Sequence, residues 1–409
     1  MKNKNTLLCF FLTCMIMCTT AVGKTKVKPA NWTATWATAP EYTGEGDMPK
    51  SSLSNRSIRQ IVHVSVGGRY LRLKLSNEFS TEPVEIKSVY IADAKDSCDV
   101  DIHTAKYLKF GKKKNITITA KGCAVSDCLE YNLKPSQTLA VTICYGEKTP
   151  EHATSHRGSR TISYIIEGEA TTKSSFAVSE RLEHWYNISA IDVLSDTANS
   201  IAILGNSITD GRGSITDKQN RWTDIFSNTL LAKGTNYGVL NLGIGGNSVY
   251  YGGLSEPGYK RFDRDILGQS GVKYVIIFEG VNDIGPAEGD TEARCRQLIN
   301  CYKEMVSKCR KRDIKVIGCT IMPFRKSFYD DGGFFKEAAR NTLNSWIRQE
   351  GSFDAVIDFD MLMRNPKHYD ELIEALQEDW LHPNAAGYKI MGEFAAKQFL
   401  KITDYGNKQ

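Results

Sequence analysis

Ser207 lies at a point in the sequence where α/β proteins often place a reactive group. It follows residues 200–204, a short and almost wholly apolar run typical of a strand buried in a parallel sheet. Gly205 and Gly211 bracket a tight turn, and ligands of open α/β sheets bind beyond the carboxyl ends of the strands. A serine hydroxyl there can act as a nucleophile when a neighbouring base takes its proton. It can also be a simple helix cap or turn former, so other residues must decide.

Gly246 belongs to a glycine-rich segment, residues 241–247, that follows the strand-like residues 237–240. Glycines at a strand end let the backbone approach a ligand closely and leave N–H groups free to point at it. A dinucleotide-binding loop is excluded, because Ser248 stands where the third glycine of that motif belongs. An N–H donor site and a plain turn remain as alternatives.

Two further segments bring polar side chains to similar positions. Asn282 follows the apolar residues 274–277 and offers a side-chain amide donor at another predicted strand end. Asp379 and His382 lie three residues apart just before a helical stretch. The carboxylate can therefore orient an imidazole that reaches toward the serine.

Taken in this order, four short blocks resemble those of the SGNH/GDSL hydrolase family. They are Gly205-Asn206-Ser207-Ile208, the glycine Gly246, Gly280-x-Asn282-Asp283 and Asp379-x-x-His382. The resemblance covers roughly residues 198–400. Asn206 departs from the family's usual aspartate; it keeps an acceptor of similar shape but lacks the charge. The stretches 261–265 and 279–285 are also similar to a secreted bacterial branch that carries an N-terminal β-module.

The resemblance implies a serine ester hydrolase without a cofactor. Ser207 would be the nucleophile, His382 its base, and Asp379 the group that fixes the histidine tautomer. The backbone N–H groups of Ser207 and Gly246 and the side-chain amide of Asn282 would form the oxyanion hole.

Other polar residues give weaker signals. Asp283 is expected to cap the helix after its strand, and Asp210 to form loop hydrogen bonds. His152 and His156 have the spacing of metal ligands on a helix, but their surroundings indicate a loop or strand edge. Since no Cys-x-x-Cys pair occurs either, we expect no metal site.

Residues 1–23 have the pattern of a secretory signal peptide: a basic start, apolar residues 7–17 and a small-x-small site at 21–23. The apolar centre is too short to span a membrane, and no later run approaches about 18 apolar residues. Lipoprotein anchoring at Cys18 is the alternative, disfavoured by the bulky Met17. The protein is therefore expected to be secreted or periplasmic, with no integral membrane association.

The composition also limits the partners and the cross-links. A net charge of +5 over 409 residues does not indicate the concentrated basic face of a nucleic-acid-binding protein. Cys123 and Cys128 are the best local candidates for a disulfide. In the second half, buried thiols are expected at Cys295, Cys301, Cys309 and Cys319.

Residues 28–195 are expected to form a β-sandwich or jelly-roll-like accessory domain, because short strand patterns occur there without a long helical period. Residues 58–66 alternate, Gly67 and Gly68 are predicted to turn a hairpin, and residues 71–75 alternate again. Trp32 and Trp36 are expected in aromatic core packing, with sugar stacking as the alternative.

Residues 196–405 are expected to form the catalytic domain. Apolar strands are predicted at 201–204, 237–242, 273–278, 314–320 and 355–359, and helices at 222–232, 259–267, 291–312, 334–349 and 385–400. Regular alternation predicts an α/β domain with a parallel sheet covered on both faces. The family resemblance implies the same flavodoxin-like three-layer fold.

The leading hypothesis is a secreted ester hydrolase that removes acetyl or other acyl groups from carbohydrates. A lipase or phospholipase is the first alternative, disfavoured by the absence of a long apolar lid segment. An inert glycan-binding surface protein is the second, disfavoured because every triad and oxyanion position holds a competent residue. Residues 152–160 are expected to reach the cleft and shape its rim, the alternative being a module that only stabilises or spaces. The glycan, the acyl group and the number of subunits stay open.

Overall fold

The computed structural model describes residues 31–289 and 291–403. The expected signal peptide, with Cys18, lies outside these described residues. No helix within the described ranges is both long and apolar enough to cross a membrane.

The described chain up to Ser195 consists almost entirely of strands and loops. The strands are β1 (Asn31–Ala37), β2 (Glu41–Tyr42), β3 (Arg56–His63), β4 (Gly68–Ser76), β5 (Val84–Asp93), β6 (Lys106–Tyr107), β7 (Ile116–Ile118), β8 (Cys123–Val125), β9 (Leu129–Leu133), β10 (Thr138–Tyr145), β11 (Thr154–His156), β12 (Ser163–Glu167), β13 (Glu180–Leu182), β14 (Trp185–Tyr186) and β15 (Ile188–Ser195).

Two larger antiparallel sheets enclose the core of this half. One has the strand order β1-β15-β4-β8, with β9 also on β4; the other has the order β13-β12-β3-β10-β5-β6, with β7 on β5. A small third sheet contains β14, β11 and β2. Val62 of one large sheet and Leu73 of the other are fully buried in a common apolar cluster. The predicted β-sandwich is confirmed.

The predicted hairpin at Gly67 and Gly68 is wrong. β3 pairs with β10 and β12, whereas β4 pairs with β15, β8 and β9, so the chain crosses between the two sheets at this point. A side chain on Gly67 would overlap the carbonyl of Leu133 and the ring of Pro135. The glycine therefore permits a close approach of the backbone rather than a two-residue turn.

The predicted core position of Trp36 is confirmed. It is buried, and its ring meets that of Trp185 edge-on with the centroids 5.0 Å apart. Trp32 is half-buried beneath the guanidinium of Arg72, which lies 4.4 Å from the ring centroid. No part of this arrangement requires sugar stacking at Trp36.

The predicted disulfide between Cys123 and Cys128 does not form, and both thiols are exposed. Cys123 lies opposite Ser76 on β4, while Leu129, the residue after Cys128, lies opposite Leu71. The two cysteines thus lie along one extended course beside β4. Five extended residues span roughly 16 Å, well beyond the distance that a disulfide bridges.

The second half alternates strands with helices. The strands are β16 (Asn199–Gly205), β17 (Tyr237–Gly243), β18 (Val272–Phe278), β19 (Lys315–Cys319) and β20 (Ala355–Ile357). The helices are α1 (Ser207–Asp210), α2 (Trp222–Ala232), α3 (Gly258–Arg261), α4 (Val281–Ile284), α5 (Glu292–Arg310), α6 (Phe335–Arg348), α7 (Phe359–Met363) and α8 (Ala385–Ile402). A π-helical segment, Phe262–Leu267, continues α3.

These strands form one parallel sheet in the order β17-β16-β18-β19-β20. Numbered within this half the order is 2-1-3-4-5, the flavodoxin-like arrangement. Along β16, Ala202 and Leu204 belong to one apolar cluster, while Ile201 and Ile203 belong to another. Because alternate residues face opposite sides of a strand, both faces of the sheet are covered. The predicted three-layer fold is confirmed.

The two halves pack together through β1, which lies against β16 and β17. The Ala34 N–H donates to the carbonyl of Ser270 (2.9 Å), and the Ala34 carbonyl accepts from the Ser200 hydroxyl (3.0 Å). A side chain on Gly238 of β17 would overlap that same carbonyl. Ala34 also shares an apolar cluster with Leu240. The interface is therefore a continuous core and not a loose linker contact.

Candidate active site

Ser207 is the first residue of α1 and is separated from the end of β16 by Asn206 alone. Asn206 caps the helix, since its side-chain oxygen accepts from the N–H of Ile208 (3.0 Å), and Gly211 ends it in the left-handed conformation at φ 104°. The Ser207 side chain thus stands at the carboxyl edge of the sheet. It is 7% exposed, and its hydroxyl contacts Nε2 of His382 at 2.8 Å.

His382 and Asp379 lie in the loop before α8 and form the second link of this chain of contacts. Nδ1 of His382 lies 2.8 Å from Oδ2 of Asp379, and the backbone N–H of His382 donates to Oδ1 (2.8 Å). Burial raises the pKa of Asp379, but the hydrogen bonds from the ring and backbone of His382 outweigh it and lower the pKa well below its usual range. An ionised Asp379 keeps the ring proton on Nδ1, so Nε2 can accept the Ser207 proton.

Three hydrogen-bond donors lie beside this chain of contacts. Within the described ranges, the backbone N–H groups of Ser207 and Gly246 donate to no protein acceptor. Gly246 has a φ of 72°, and a Cβ there would lie 2.9 Å from the side chain of Leu254. Asn282 is 5% exposed and uses its amide nitrogen to bind the carbonyl of Asn247 (2.7 Å). That bond occupies one of two amide hydrogens, which leaves one for a ligand.

Tyr329, which the sequence did not single out, fixes the orientation of the Asn282 amide. Its hydroxyl donates to Oδ1 of Asn282 at 2.9 Å, so the amide nitrogen must face the other way. The ring lies against Gly285, where any side chain would overlap it. Gly285 follows α4 closely, and its lack of a side chain makes room for this contact.

Asp283 does not cap a helix, which corrects the sequence-based expectation. α4 begins at Val281, and the Asp283 carboxylate points instead into the neighbouring loop. It accepts hydrogen bonds from the backbone N–H groups of Val249 (2.8 Å), Tyr250 (2.9 Å) and Tyr251 (2.9 Å). Asp283 therefore holds the loop that follows Gly246.

Glu279 gives a structural reason for asparagine at position 206. The Asn206 amide nitrogen donates to Oε2 of Glu279 (3.1 Å), and Glu279 is 2% exposed. Burial raises the pKa of Glu279 well above its usual value, which more than offsets the nearby charge of Arg261. An aspartate at 206 would place a second carboxyl group against this one, whereas asparagine supplies a donor.

Replacing Asn206 with aspartate is expected to make stability depend more steeply on pH. A carboxyl group whose pKa is raised in the folded state stabilises it below its unfolded pKa, and this contribution is lost as pH rises. Two facing carboxyl groups must share a proton. The free energy of unfolding of Asn206→Asp should therefore fall below that of the wild type by about 2 kcal/mol at pH 8 and by little at pH 5. Urea unfolding at both pH values measures it.

Asn206→Ser is the matched control, because serine keeps a cap acceptor without adding charge. Adding Glu279→Gln to Asn206→Asp should restore stability at pH 8. Equal destabilisation of Asn206→Asp at both pH values would show that the two carboxyl groups do not interact.

A buried charge network joins the β-sandwich to the turn that carries Ser207. Asp210 accepts from Nε2 of His156 (2.9 Å) and from Arg160 (2.7 Å), both from the first half of the chain. Arg157 pairs with Glu41 (2.6 Å), and Nδ1 of His156 lies 3.4 Å from the same carboxylate. Asp210 thus forms hydrogen bonds as expected, and His156 lies on β11 with protein partners on both ring nitrogens.

The pKa values in this network move in opposite directions. Burial lowers the pKa of His156, but its hydrogen bond to Asp210 outweighs this and raises it above 6.5. Burial raises the pKa of Asp210, but the charge of Arg160 and the bond from His156 lower it below 3.8. The histidine contribution to stability is lost as pH rises above 6.5, and the aspartate contribution as pH falls below 3.8.

His156→Gln is therefore expected to destabilise the protein most between about pH 4 and 6.5, by about 3 kcal/mol. The difference from the wild type should shrink at pH 9, where the wild-type histidine has lost its charge. Thermal unfolding across this range measures it, with the exposed His103→Gln as the control. If the stability difference between His156→Gln and the wild type did not change with pH, a charged His156 would be contradicted.

An open cavity of about 630 Å³ lies at the candidate site. Ser207, Gly246, Asn282 and His382 line it, while Asp379 lies behind His382. Residues of the first half also form part of its wall, namely Arg157, Gly158 and Arg160. The remaining lining residues are Asp210, Arg212, Gly245, Gly253, Leu254, Pro286, Phe328, Tyr329 and Leu381.

Among the described residues, no group of three His, Cys, Asp or Glu side chains is arranged to hold a metal ion. His152 and His156 each contact a backbone carbonyl instead, those of Thr43 and Ala39.

Residues 203–390 match the family model described as the GDSL-like lipase/acylhydrolase family. No curated protein matches the chain. A GDSL-like lipase from Bacteroides thetaiotaomicron VPI-5482 is similar at 18% identity, with 50% of this chain and 89% of that chain covered and a TM-score of 0.38. A carbohydrate acetylesterase family member from Sinorhizobium meliloti is similar at 13% identity, with 50% of this chain and 98% of that chain covered and a TM-score of 0.39. A family two carbohydrate esterase from Cellvibrio japonicus is similar at 12% identity, with 92% of this chain and 96% of that chain covered and a TM-score of 0.35.

Proposed function

Because residues 203–390 match the model of the GDSL-like lipase/acylhydrolase family, we propose that this protein is a secreted serine esterase that removes acetyl or other acyl groups from carbohydrates. The observation that carries the proposal is the row of contacts from Asp379 through His382 to Ser207. Ser207 borders a cavity that is also lined by unused N–H donors. Export rests on the pattern of residues 1–23.

In the proposed reaction, Oγ of Ser207 attacks the ester carbonyl while its proton passes to Nε2 of His382. The N–H groups of Ser207 and Gly246 and the amide of Asn282 stabilise the resulting oxyanion. His382 then gives its proton to the leaving alkoxide, and the acyl group stays on Ser207. His382 then takes a proton from a water molecule, whose oxygen attacks the acyl-serine; as the bond from the acyl carbon to Oγ breaks, His382 returns the proton to Oγ of Ser207 and the carboxylic acid leaves. Asp379 remains ionised and stabilises the imidazolium throughout.

The size and walls of the cavity favour a large alcohol half in the substrate. Ligand cavities of several hundred Å³ suit a molecule well beyond an acetyl group. The open cavity of about 630 Å³ is lined by residues from both halves of the chain. Phe328, which is 68% exposed, offers an aromatic face of the kind on which a sugar ring can stack. An acylated carbohydrate fits such a cavity.

A lipase-type activity is the second candidate. Leu254 and Phe328 are 54% and 68% exposed at the cavity, and they could instead contact a long acyl chain. Comparing acyl chain lengths on one leaving group separates the two activities, because only the acyl half of the substrate changes.

The experiment is hydrolysis of p-nitrophenyl acetate and p-nitrophenyl decanoate, followed by acetate release from a panel of acetylated polysaccharides. We expect turnover of the acetate ester, little turnover of the decanoate, and acetate release from at least one polysaccharide. Faster decanoate hydrolysis without acetate release would favour the lipase-type activity. No turnover of any ester by a folded preparation would contradict both and leave the inert binding protein.

A further inference from the structure

Arg212 is an exposed cation in the wall of the cavity that contains Ser207 and His382. Its backbone is fixed: the N–H donates to the Ser207 carbonyl (2.9 Å), and the carbonyl accepts from the Tyr388 hydroxyl (2.5 Å). Within the described ranges its guanidinium has no carboxylate within 4 Å and no protein hydrogen-bond acceptor. Its charge is therefore available to a ligand.

The other two arginines of the wall are already paired. Arg157 binds Glu41 and Arg160 binds Asp210, and both carboxylates are almost wholly buried. These pairs fix the two arginines as part of the wall. Their side chains keep about a quarter of their surface exposed, at 28% and 25%. They contribute to the field in the cavity but do not need a ligand for charge balance.

Of the three arginines in the cavity wall, Arg212 is the one without an ion-pair partner among the described residues. The buried His156 lies between Glu41 and Asp210, so its charge when protonated is also matched by carboxylates. Asp379 is paired with His382. Glu378, whose carboxylate lies near Gly213, is exposed and makes no ion pair with Arg212. The guanidinium of Arg212 is therefore the unpaired cation of the wall.

We propose that the cavity selects esters whose alcohol half carries an anionic group, a carboxylate or sulfate on a sugar, and that Arg212 is the specificity-determining residue that binds this group. A guanidinium suits both anions, because its planar donors match their oxygens. The proposal rests on the proposed esterase function and specifies its substrate class.

The test compares matched polysaccharides that differ only in charge. One pair is acetylated polygalacturonate and its carboxyl-reduced counterpart, acetylated to the same degree; the other is acetylated xylan with and without sulfate groups. Acetate release by the wild-type protein should show a kcat/KM about tenfold higher on the charged member of at least one pair, and salt should reduce this ratio. The pair that shows the preference identifies the anion.

Arg212→Gln should bring the ratio close to one, and Arg212→Lys should keep part of it. Arg296→Gln is the matched control, since it removes the same charge from an exposed site on α5 and should leave the ratio unchanged. Equal rates on both members of both pairs, or a preference that survives in Arg212→Gln, would overturn the proposal. Hydrolysis of p-nitrophenyl acetate separates that result from failure of the esterase function, which would abolish turnover of every ester.

Discussion

Ser207→Ala is expected to lower ester hydrolysis by about 10⁴-fold or more, to the level of a folded protein that only binds its substrate. The change removes the attacking oxygen and the contact with His382. It leaves the helix cap at Asn206 and the end of β16 intact. Initial rates on p-nitrophenyl acetate measure the effect, and circular dichroism with thermal unfolding shows whether the fold persists.

A fluorophosphonate probe gives an independent measurement of the same role. It should label the wild-type protein at Ser207, as shown by peptide mass mapping, and should not label Ser207→Ala. His382→Ala should label slowly, because the serine then lacks its base. Near-normal turnover by a folded Ser207→Ala protein would rule out the assigned nucleophile.

Asn282→Ala is expected to lower kcat about 10²- to 10³-fold with a much smaller change in KM. An oxyanion donor acts mainly in the transition state, so its loss affects the rate more than substrate binding. Steady-state kinetics on p-nitrophenyl acetate measure both constants. Tyr329→Phe should give a smaller loss of kcat, because Tyr329 only orients the amide.

The neighbouring Asp283 provides the comparison for Asn282. Asp283→Ala leaves three backbone N–H groups without their acceptor, at about 1–3 kcal/mol for each buried group, so its main effect should be a lower unfolding temperature. A catalytically dead but stable Asp283→Ala protein, with Asn282→Ala nearly silent, would reverse the roles assigned to these two residues.

Periodicity was sufficient to predict the architecture because both halves repeat a simple pattern. The run 201–204 is apolar at every position since β16 is covered on both faces, and the predicted bounds of helix 222–232 match α2. Strand partners were harder to predict. Gly67 and Gly68 have the composition of a hairpin turn, yet the strands on either side lie in different sheets. The deciding contact, with Leu133, lies far away in sequence.

The same limit applies to the candidate site. The residue types at Ser207, Asp379 and His382 could be recognised, because a turn and a three-residue spacing are local features. The partner of Asn206 lies 73 residues away at Glu279, and the partner of Asp210 lies in the other half of the chain at His156. Such pairs become visible only when the fold brings them together. Asp283 was misassigned for this reason, since its carboxylate accepts from backbone N–H groups of the loop at 249–251, more than 30 residues away.

The charge network beneath the turn of Ser207 also bears on how such a protein can diverge. Asp210 takes its partners from the β-sandwich, and β1 shares a core with the parallel sheet. A second half placed in another gene without this module would expose the Asp210 carboxylate and the apolar surface that β1 covers. It would lose stability unless the new neighbour supplied an equivalent cover. For this chain, a change of specificity by substitutions around the shared cavity disturbs the structure less than an exchange of either half.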